Sequence, residues 1–241
     1  PLSVNFINNS ENLNDAVFQW NFGNGEASND ENPSAIYEVG GVYDVSLIVT
    51  NEAGCSDTKT KISFVLAYDN LSPVPSDVVV ATVLSNTSVF IVWKESKAVD
   101  FEKYTLYRKN NSGGQYIQVA VINDLNISSF TDENLNTLNN VYCYKLQTVD
   151  FCGNSKNLGE LTEYCTMNVT AKPDSAKISV RWTPYIGCSV GEYEVLRSKP
   201  GLANFEMLAS VDANTLSFED TSWYCFTEYS YKIKALDVCG N

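Results

Sequence analysis

The sequence contains an internal repeat, and this feature constrains the possible folds more than any other. Trp93 recurs as Trp182, an offset of 182 − 93 = 89, and Tyr142 recurs as Tyr229, an offset of 229 − 142 = 87. Matches that keep their order with almost constant spacing indicate a duplicated domain. Three longer motifs recur in the same order: Tyr104–Arg108 at Tyr193–Arg197, Ser129–Asp132 at Ser217–Asp220 and Asp150–Asn154 at Asp237–Asn241.

Each copy is predicted to consist of short β-strands. Segments such as 78–83, 88–93 and 104–107 are rich in β-branched and aromatic residues and are separated by turn-forming residues. Apolar residues alternate with others between Tyr142 and Thr148, as expected for a strand with one buried face. No stretch of the sequence shows helical periodicity. Strands at this spacing, in a unit of this size, favour a β-sandwich.

The composition excludes several classes of function. The 241 residues include 16 Lys and Arg against 29 Asp and Glu, a net charge of −13, and there is no histidine. An acidic surface repels phosphate backbones and anionic lipid head groups, so we expect no nucleic-acid partner. Without histidine, the chain lacks the commonest general base and the Ser-His and Cys-His nucleophile pairs. No apolar run reaches the roughly 18 residues of a membrane span, so we expect no membrane insertion.

The two copies resemble fibronectin type III domains over about residues 71–241. The resemblance rests on the tryptophans Trp93 and Trp182, on a Y-x-[LV]-x-R strand, and on a Tyr-x-Tyr strand followed by an Asp-x-Cys-Gly-Asn turn. It implies that the tryptophans pack between two sheets and that Tyr142 and Tyr229 form tyrosine corners. These are structural roles and not catalytic ones.

The first part of the chain shows a different pattern. Phe18–Gly25 contains W-N-F-G-N-G, an Asn32-Pro33 turn follows, and the run from Val42 to Val49 alternates apolar and polar residues. This pattern resembles the PKD (polycystic-kidney-disease type) domain, which is also a sandwich. Asn21 and Asn24 stand where that family has aspartates, and neutral amides bind Ca²⁺ less well than carboxylates. We therefore predict no metal and no cofactor.

The predicted fold class is all-β, with three tandem immunoglobulin-like β-sandwiches. The second junction, near Glu160–Cys165, contains no Pro or Gly of the kind that marks a linker. We therefore expect the last two sandwiches to follow each other directly. The second copy stops before its last strand, so we expect the native chain to continue or a strand to come from elsewhere. The predicted boundaries are 1–67 for the PKD-like sandwich, 68–76 for a stiff linker, 77–165 for the first fibronectin-like sandwich and 166–241 for the second.

Seven scattered cysteines favour disulfides in an oxidising compartment over a zinc site. Cys143 and Cys165 are centred on the Gly153-Asn154 turn, since (143 + 165)/2 = 154. Antiparallel pairing about that turn places them opposite each other and predicts a disulfide. In the fibronectin-like fold the loops that carry Cys188 and Cys239 share one end, which predicts a second disulfide.

The remaining cysteines are harder to pair. We expect Cys225 to pair with a cysteine beyond Asn241 and Cys55 with one before Pro1, whereas Cys152 has no evident partner. The alternative, that some cysteines are free buried thiols, stays open because connectivity cannot be deduced from sequence.

Two further sites are candidates for binding or modification. Trp223 and Tyr224 are interpreted either as an exposed platform for a sugar ring or, preferably, as aromatic residues packed against the domain. Ser175 lies in Asp174-Ser175-Ala176, which matches the O-glycosylation acceptor pattern of exported Bacteroidetes proteins.

The sequence shows no catalytic constellation. Paired acids at Asp132-Glu133 and Glu219-Asp220 recur in both copies, but we expect them in solvated turns and not in a cleft. There is no G-x-S-x-G elbow and no phosphate-binding glycine loop. We therefore predict that the chain is not an enzyme.

The domain series resembles Bacteroidetes surface proteins exported by the type IX secretion system, including gliding-motility adhesins. The resemblance implies a non-catalytic structural or adhesive stalk of an extracellular protein, at the cell surface or secreted. The expected partners are other domains of the same chain, with surface glycans or secretion and outer-membrane machinery reached through flanking regions. The alternative is a carbohydrate-binding accessory module of a secreted glycanase or protease, and a third hypothesis is an enzyme in its own right.

Overall fold

The computed structural model describes residues 1–11, 15–110, 114–199, 204–224 and 226–237. Within this part the chain forms nineteen β-strands and one turn of 3₁₀ helix at Leu158–Glu160. None of the described helical structure is long and apolar enough to cross a bilayer. The chain divides into two compact units, of which the first comprises Pro1–Val74, Lys97–Glu102 and Thr148–Ser155 and the second Pro75–Ser96, Lys103–Gln147 and Lys156–Asn241.

The first six strands form a sandwich of two antiparallel sheets. One sheet has the order β1-β4 and the other has the order β3-β2-β5-β6. In β2, Phe18 and Trp20 are buried while the alternate residues are exposed, so one face of the strand supplies the core. The strands are β1 (Leu2–Asn5), β2 (Val17–Asn21), β3 (Ala27–Ser28), β4 (Ser34–Tyr37), β5 (Gly41–Thr50) and β6 (Ser56–Ala67).

Aromatic rings fill the interior of this sandwich. The ring centroid of Phe6 lies 5.0 Å from that of Phe22 and 5.6 Å from that of Trp20. The buried Tyr37 hydroxyl donates a hydrogen bond to the carbonyl oxygen of Phe22 at 3.0 Å. Burial raises the pKa of Tyr37 to about 12, helped by Tyr43 and Glu26, so this phenol stays a neutral donor at physiological pH.

The two repeats follow with the same strand arrangement. In the first, the sheets have the orders β11-β8-β7 and β10-β9-β12-β13, and in the second β14-β15-β18 and β17-β16-β19. The first repeat contains β7 (Val78–Ser85), β8 (Ser88–Trp93), β9 (Phe101–Asn110), β10 (Ile117–Ile122), β11 (Ser129–Asp132), β12 (Tyr142–Asp150) and β13 (Tyr164–Cys165). The second contains β14 (Val169–Pro173), β15 (Ile178–Trp182), β16 (Val190–Ser198), β17 (Glu206–Asp212), β18 (Ser217–Asp220) and β19 (Ser230–Asp237).

The repeated tryptophans occupy matching positions in the two cores. Trp93 and Trp182 are 2% and 5% exposed, and each meets a tyrosine edge to face, Tyr104 at 5.5 Å and Tyr193 at 5.8 Å between ring centroids. Neither indole N–H finds an acceptor in the described part of the chain, so both side chains stabilise through apolar packing. The all-β prediction of tandem sandwiches is confirmed.

We predict that Gly23→Ala destabilises the first sandwich much more than Gly25→Ala. Both glycines have positive φ, at 77° and 90°, but a Cβ at Gly23 would lie 2.4 Å from the backbone oxygen of Asp44, whereas nothing lies within 4 Å at Gly25. The positive φ alone costs roughly 1–2 kcal/mol for a residue with a side chain. Urea unfolding of the two variants measures the difference, and equal losses would contradict the predicted clash.

Candidate functional site

A buried ion pair links the two sheets of the first repeat. Arg108 on β9 donates from one guanidinium nitrogen to both carboxylate oxygens of Asp132 on β11, each at 2.8 Å. Tyr144 on β12 donates its hydroxyl to the same carboxylate at 2.9 Å. Because β9 and β12 lie in one sheet and β11 in the other, these bonds hold the two sheets together. We call this group of three residues the first clamp.

The second repeat contains the same arrangement. Arg197 on β16 donates to Asp220 on β18 at 2.7 Å, and Tyr231 on β19 donates to the same carboxylate oxygen at 2.7 Å. The guanidinium also bonds Glu206 of β17 and the backbone and hydroxyl oxygens of Ser222. The residues Arg197, Asp220 and Tyr231 form the second clamp, which recurs at the offset seen in the sequence.

The environment of the clamps shifts the pKa values of Asp220, Tyr144 and Tyr231. Burial raises the pKa of Asp220, but hydrogen bonds from Tyr231, Ser222 and Arg197 outweigh it and hold the pKa below its ordinary value. Burial and the nearby carboxylate raise the pKa of Tyr144 and of Tyr231, so both phenols remain donors. In the second clamp, the Asp220 carboxylate is therefore paired with a cation and a neutral hydroxyl.

The sequence prediction of solvated turns is wrong for the two aspartates. Asp132 and Asp220 are 5% and 1% exposed, whereas Glu133 and Glu219 are exposed. The strands β11 and β18 include the two aspartates as their last residues, and alternation along the strands points each aspartate into the sandwich. Spacing alone did not reveal the partner arginines, which lie on strands far away in sequence.

The tyrosine corners implied by the fibronectin resemblance are present. The Tyr142 hydroxyl accepts a hydrogen bond from the backbone N–H of Asn136 at 2.9 Å, and that of Tyr229 accepts one from Tyr224 at 3.1 Å. The guanidinium carbons of Arg108 and Arg197 also lie 5.7 Å and 4.8 Å from the ring centroids of Tyr142 and Tyr229. The same arginines thus stabilise the corner and the clamp in each repeat.

The predicted disulfide between Cys143 and Cys165 is confirmed. It joins directly opposed residues of β12 and β13, with Cα atoms 4.0 Å apart. Cys188 is also disulfide-bonded. Its predicted partner, Cys239, lies outside the described residues, as does Cys225, so that pairing stays a prediction.

Two cysteines in the described residues are free thiols. Cys55 is exposed in the turn between β5 and β6, and Cys152 is partly buried. The Cys152 sulfur accepts a hydrogen bond from the backbone N–H of Asp69 at 3.4 Å. The alternative of free buried thiols therefore applies to Cys152, whereas the expected pairing of Cys55 with a cysteine before Pro1 stays a prediction.

Three carboxylates converge in the first unit, and they are the residues best placed to hold a cation. Oxygens of Asp69, Asp100 and Asp150 lie within 4.8 Å of one another. The pKa of Asp100 is raised, mainly by burial and also by the negative charges of Asp150 and Asp69. A hydrogen bond to the backbone of Asp100 itself offsets part of this increase. The sequence did not reveal this cluster because its members come from three distant segments.

The other predicted site residues, Trp223, Tyr224 and Ser175, do not form a common site. Trp223 is half-buried and packs against the core of the second repeat, whereas Tyr224 is 68% exposed, with the Lys199 ammonium 5.5 Å from its ring centroid. The structure therefore provides no paired Trp-Tyr surface. Ser175 is exposed in the turn between β14 and β15, where its backbone N–H bonds the Asp174 side chain.

Comparisons with known proteins identify the first sandwich most clearly. Residues 2–65 match the family model of the PKD domain, so the resemblance seen in the sequence is confirmed there. The chain is similar to a crystal structure of the FN1–FN3 domains of chicken CNTN1, with a TM-score of 0.40 and 15% identity, covering 93% of this chain and 85% of that chain. No curated protein matches the sequence. The PKD match and the strand orders define an all-β chain, in which a sandwich that matches the PKD model over residues 2–65 is followed by two further two-sheet sandwiches.

We predict that Asp220→Asn destabilises the second repeat by about 3 kcal/mol, because it removes the buried counter-charge of Arg197 and leaves only the exposed Glu206 as its charged partner among the described residues. The matched control is Glu219→Gln, which should cost much less, because solvent screens its exposed pair with Lys177 at 3.2 Å. Urea unfolding followed by fluorescence measures both. Equal effects of the two variants would show that the clamp is not important for stability.

The same clamp predicts a pH dependence with a definite sign. Since the folded state lowers the pKa of Asp220 below its ordinary 3.8, the stabilisation is complete above that value and is lost as the pH falls further. Unfolding free energies measured from pH 7 down to pH 2.5 should fall below about pH 4. Asp220→Asn should flatten this fall, and an unchanged pH profile would contradict the assignment.

We predict that Asp100→Asn stabilises the first unit at pH 7 by roughly 0.5–1 kcal/mol, the usual size of effects among partly exposed charges. A carboxyl whose pKa is raised by folding stabilises only when protonated, so the gain should shrink as the pH falls toward 3.8. Glu52→Gln, at an exposed turn of the same unit, is the control. A gain that persists unchanged at acid pH would disprove the electrostatic origin.

Proposed function

We propose that this chain is a non-catalytic structural segment of an extracellular protein, acting as a spacer or an adhesive stalk. PKD and fibronectin-type modules are typical of extracellular proteins and are mostly non-catalytic. The observation that carries the proposal is the repeated clamp: the recurring polar residues bind each other between the sheets and do not line a cleft. Residues that a catalytic site would employ are thus used to hold each sandwich together.

The surface of the described residues also favours a structural role. An open depression of about 310 Å³ lies in the first unit, beside Pro1, Glu38 and the segment Tyr68–Leu71. The second group of potential metal ligands, Cys143, Glu163 and Cys165, contains two cysteines that are bonded to each other and cannot serve as thiolates. A module without a deep cleft is suited to spacing and to contacts made through flanking domains.

We further propose that the parent protein is exported by a type IX-like pathway and resides at the cell surface or in the medium. The support is the resemblance of the domain series to Bacteroidetes surface proteins, including gliding-motility adhesins. In this role its partners would be other domains of the same chain, and surface glycans or outer-membrane machinery would be reached through flanking regions.

The alternative, a carbohydrate-binding accessory module, retains one supporting observation. Tyr224 presents most of its ring to solvent, and exposed aromatic faces stack on sugar rings. Trp223, the larger of the two predicted platform residues, packs against the core instead. We therefore rank the spacer first.

We predict that single-molecule stretching of the chain gives separate unfolding events for individual sandwiches, as expected for modules with independent cores. In the first repeat, the disulfide closes a loop with a sequence separation of 22 residues, so removing it should lengthen that event by roughly 70–80 Å at about 3.3–3.6 Å per residue. The comparison is between the wild type and the double variant Cys143→Ser, Cys165→Ser.

A continuous extension without separate events would contradict the spacer mechanism. Turnover of polysaccharide or peptide substrates by the purified chain would contradict the non-catalytic assignment. Tyr224→Ala provides the test of the alternative, because loss of polysaccharide retention in a pull-down would favour the carbohydrate-binding module over the spacer.

A further inference from the structure

The junction between the two repeats is short and hydrogen-bonded on both sides. Three residues, 166–168, separate β13 from β14. The backbone N–H of Thr166 donates to Tyr142 of β12 at 2.9 Å, and the Thr166 hydroxyl accepts from the Tyr142 N–H at 3.0 Å. The linker is thereby fixed to the first repeat at its start.

Its other end is fixed to both repeats at once. The Asn168 side-chain amide donates to the carbonyl oxygen of Leu138 in the first repeat at 3.2 Å. The Asn168 backbone exchanges two hydrogen bonds of 3.0 Å with Thr183, the residue after β15 in the second repeat. A linker with these partners has little freedom to act as a hinge.

A second contact lies beside the linker. The backbone N–H of Cys165 donates to the carbonyl oxygen of Ile186 at 2.8 Å, which forms an antiparallel bridge between β13 and the loop after β15. That loop is held within its own repeat, since the Tyr185 N–H donates to the hydroxyl of the buried Tyr193 at 3.1 Å. The bridge therefore joins two anchored segments.

Close packing surrounds the bridge at Gly187. A Cβ at this position would lie 2.8 Å from Cδ1 of Tyr164 and 2.8 Å from the hydroxyl oxygen of Tyr185. Tyr164 is a buried residue of β13, so the backbone of the second repeat approaches the first repeat too closely for any side chain. Only glycine fits here without moving one of the two tyrosines.

We infer that the two fibronectin-type repeats form one rigid body, fixed by the bridge at Cys165–Ile186 and by the close approach of Gly187 to Tyr164. The Cys143–Cys165 disulfide maintains this junction, because β13 has two residues and pairs with β12 through Cys143–Cys165 and its neighbour. The bond adds a covalent link to a two-residue pairing that is otherwise continued by the Thr166–Tyr142 hydrogen bonds. This inference goes beyond the proposed function and would hold whether the chain is a spacer or a binding module.

Residual dipolar couplings of the backbone amides in the full chain test this inference. In the wild type, couplings from β7–β13 and from β14–β19 should fit a single alignment tensor. Gly187→Ala should abolish the common fit, so that each repeat requires its own tensor. The matched control is Gly191→Ala, because a Cβ there would meet only the backbone oxygen of Leu236 at 3.6 Å and the common tensor should survive.

Separate tensors in the wild type, or indistinguishable behaviour of Gly187→Ala and Gly191→Ala, would overturn the inference. The double variant Cys143→Ser, Cys165→Ser provides a second measurement if Gly187→Ala does not fold. It should keep the chemical shifts of the second-repeat core and lose the common tensor, and retention of the common tensor would show that the disulfide does not maintain the junction. Stretching reports on the spacer role, so the two proposals can fail independently.

Discussion

A charged group between the two sheets of a small sandwich is costly unless it is paired, and this constraint accounts for the polar residues that recur in the two repeats. Each repeat adds a buried ion pair between its sheets. Arg108 and Asp132 in one copy, and Arg197 and Asp220 in the other, bring the sheets together at equivalent positions. Because a buried charge is costly without its partner, neither residue of a pair can change alone.

Covalent links supplement the clamps at different places. In the first repeat, the disulfide joins β12 to the short strand β13 and so fixes the end of the sandwich that leads into the next one. In the second repeat, the disulfide cysteine Cys188 lies in the loop that receives this contact. Of the disulfide cysteines in the described residues, Cys165 directly precedes the junction and Cys188 lies in the loop whose Ile186 carbonyl accepts a hydrogen bond from it.

The polar residues that invite a functional interpretation mostly serve the fold. The aspartates of the two acid pairs bind tyrosines and arginines of the repeated motifs inside the sandwiches, and the tryptophan of the candidate sugar platform packs against a core. The cluster of Asp69, Asp100 and Asp150 differs, since its three carboxylates come within 4.8 Å of one another and the pKa of Asp100 is raised, while Asn154 donates hydrogen bonds to Asp69 and Asp150.

The sequence by itself determined the fold class, the repeat, the PKD-type module and the Cys143–Cys165 pair, because alternation, spacing and turn residues are local signals. It also located the residues of the clamps without revealing their role. Only the tertiary structure decided that Asp132 and Asp220 are buried partners of arginines, that Trp223 turns inward and that three distant aspartates meet. Such outcomes depend on which strands face each other across the interior, and no local pattern along the chain encodes that proximity.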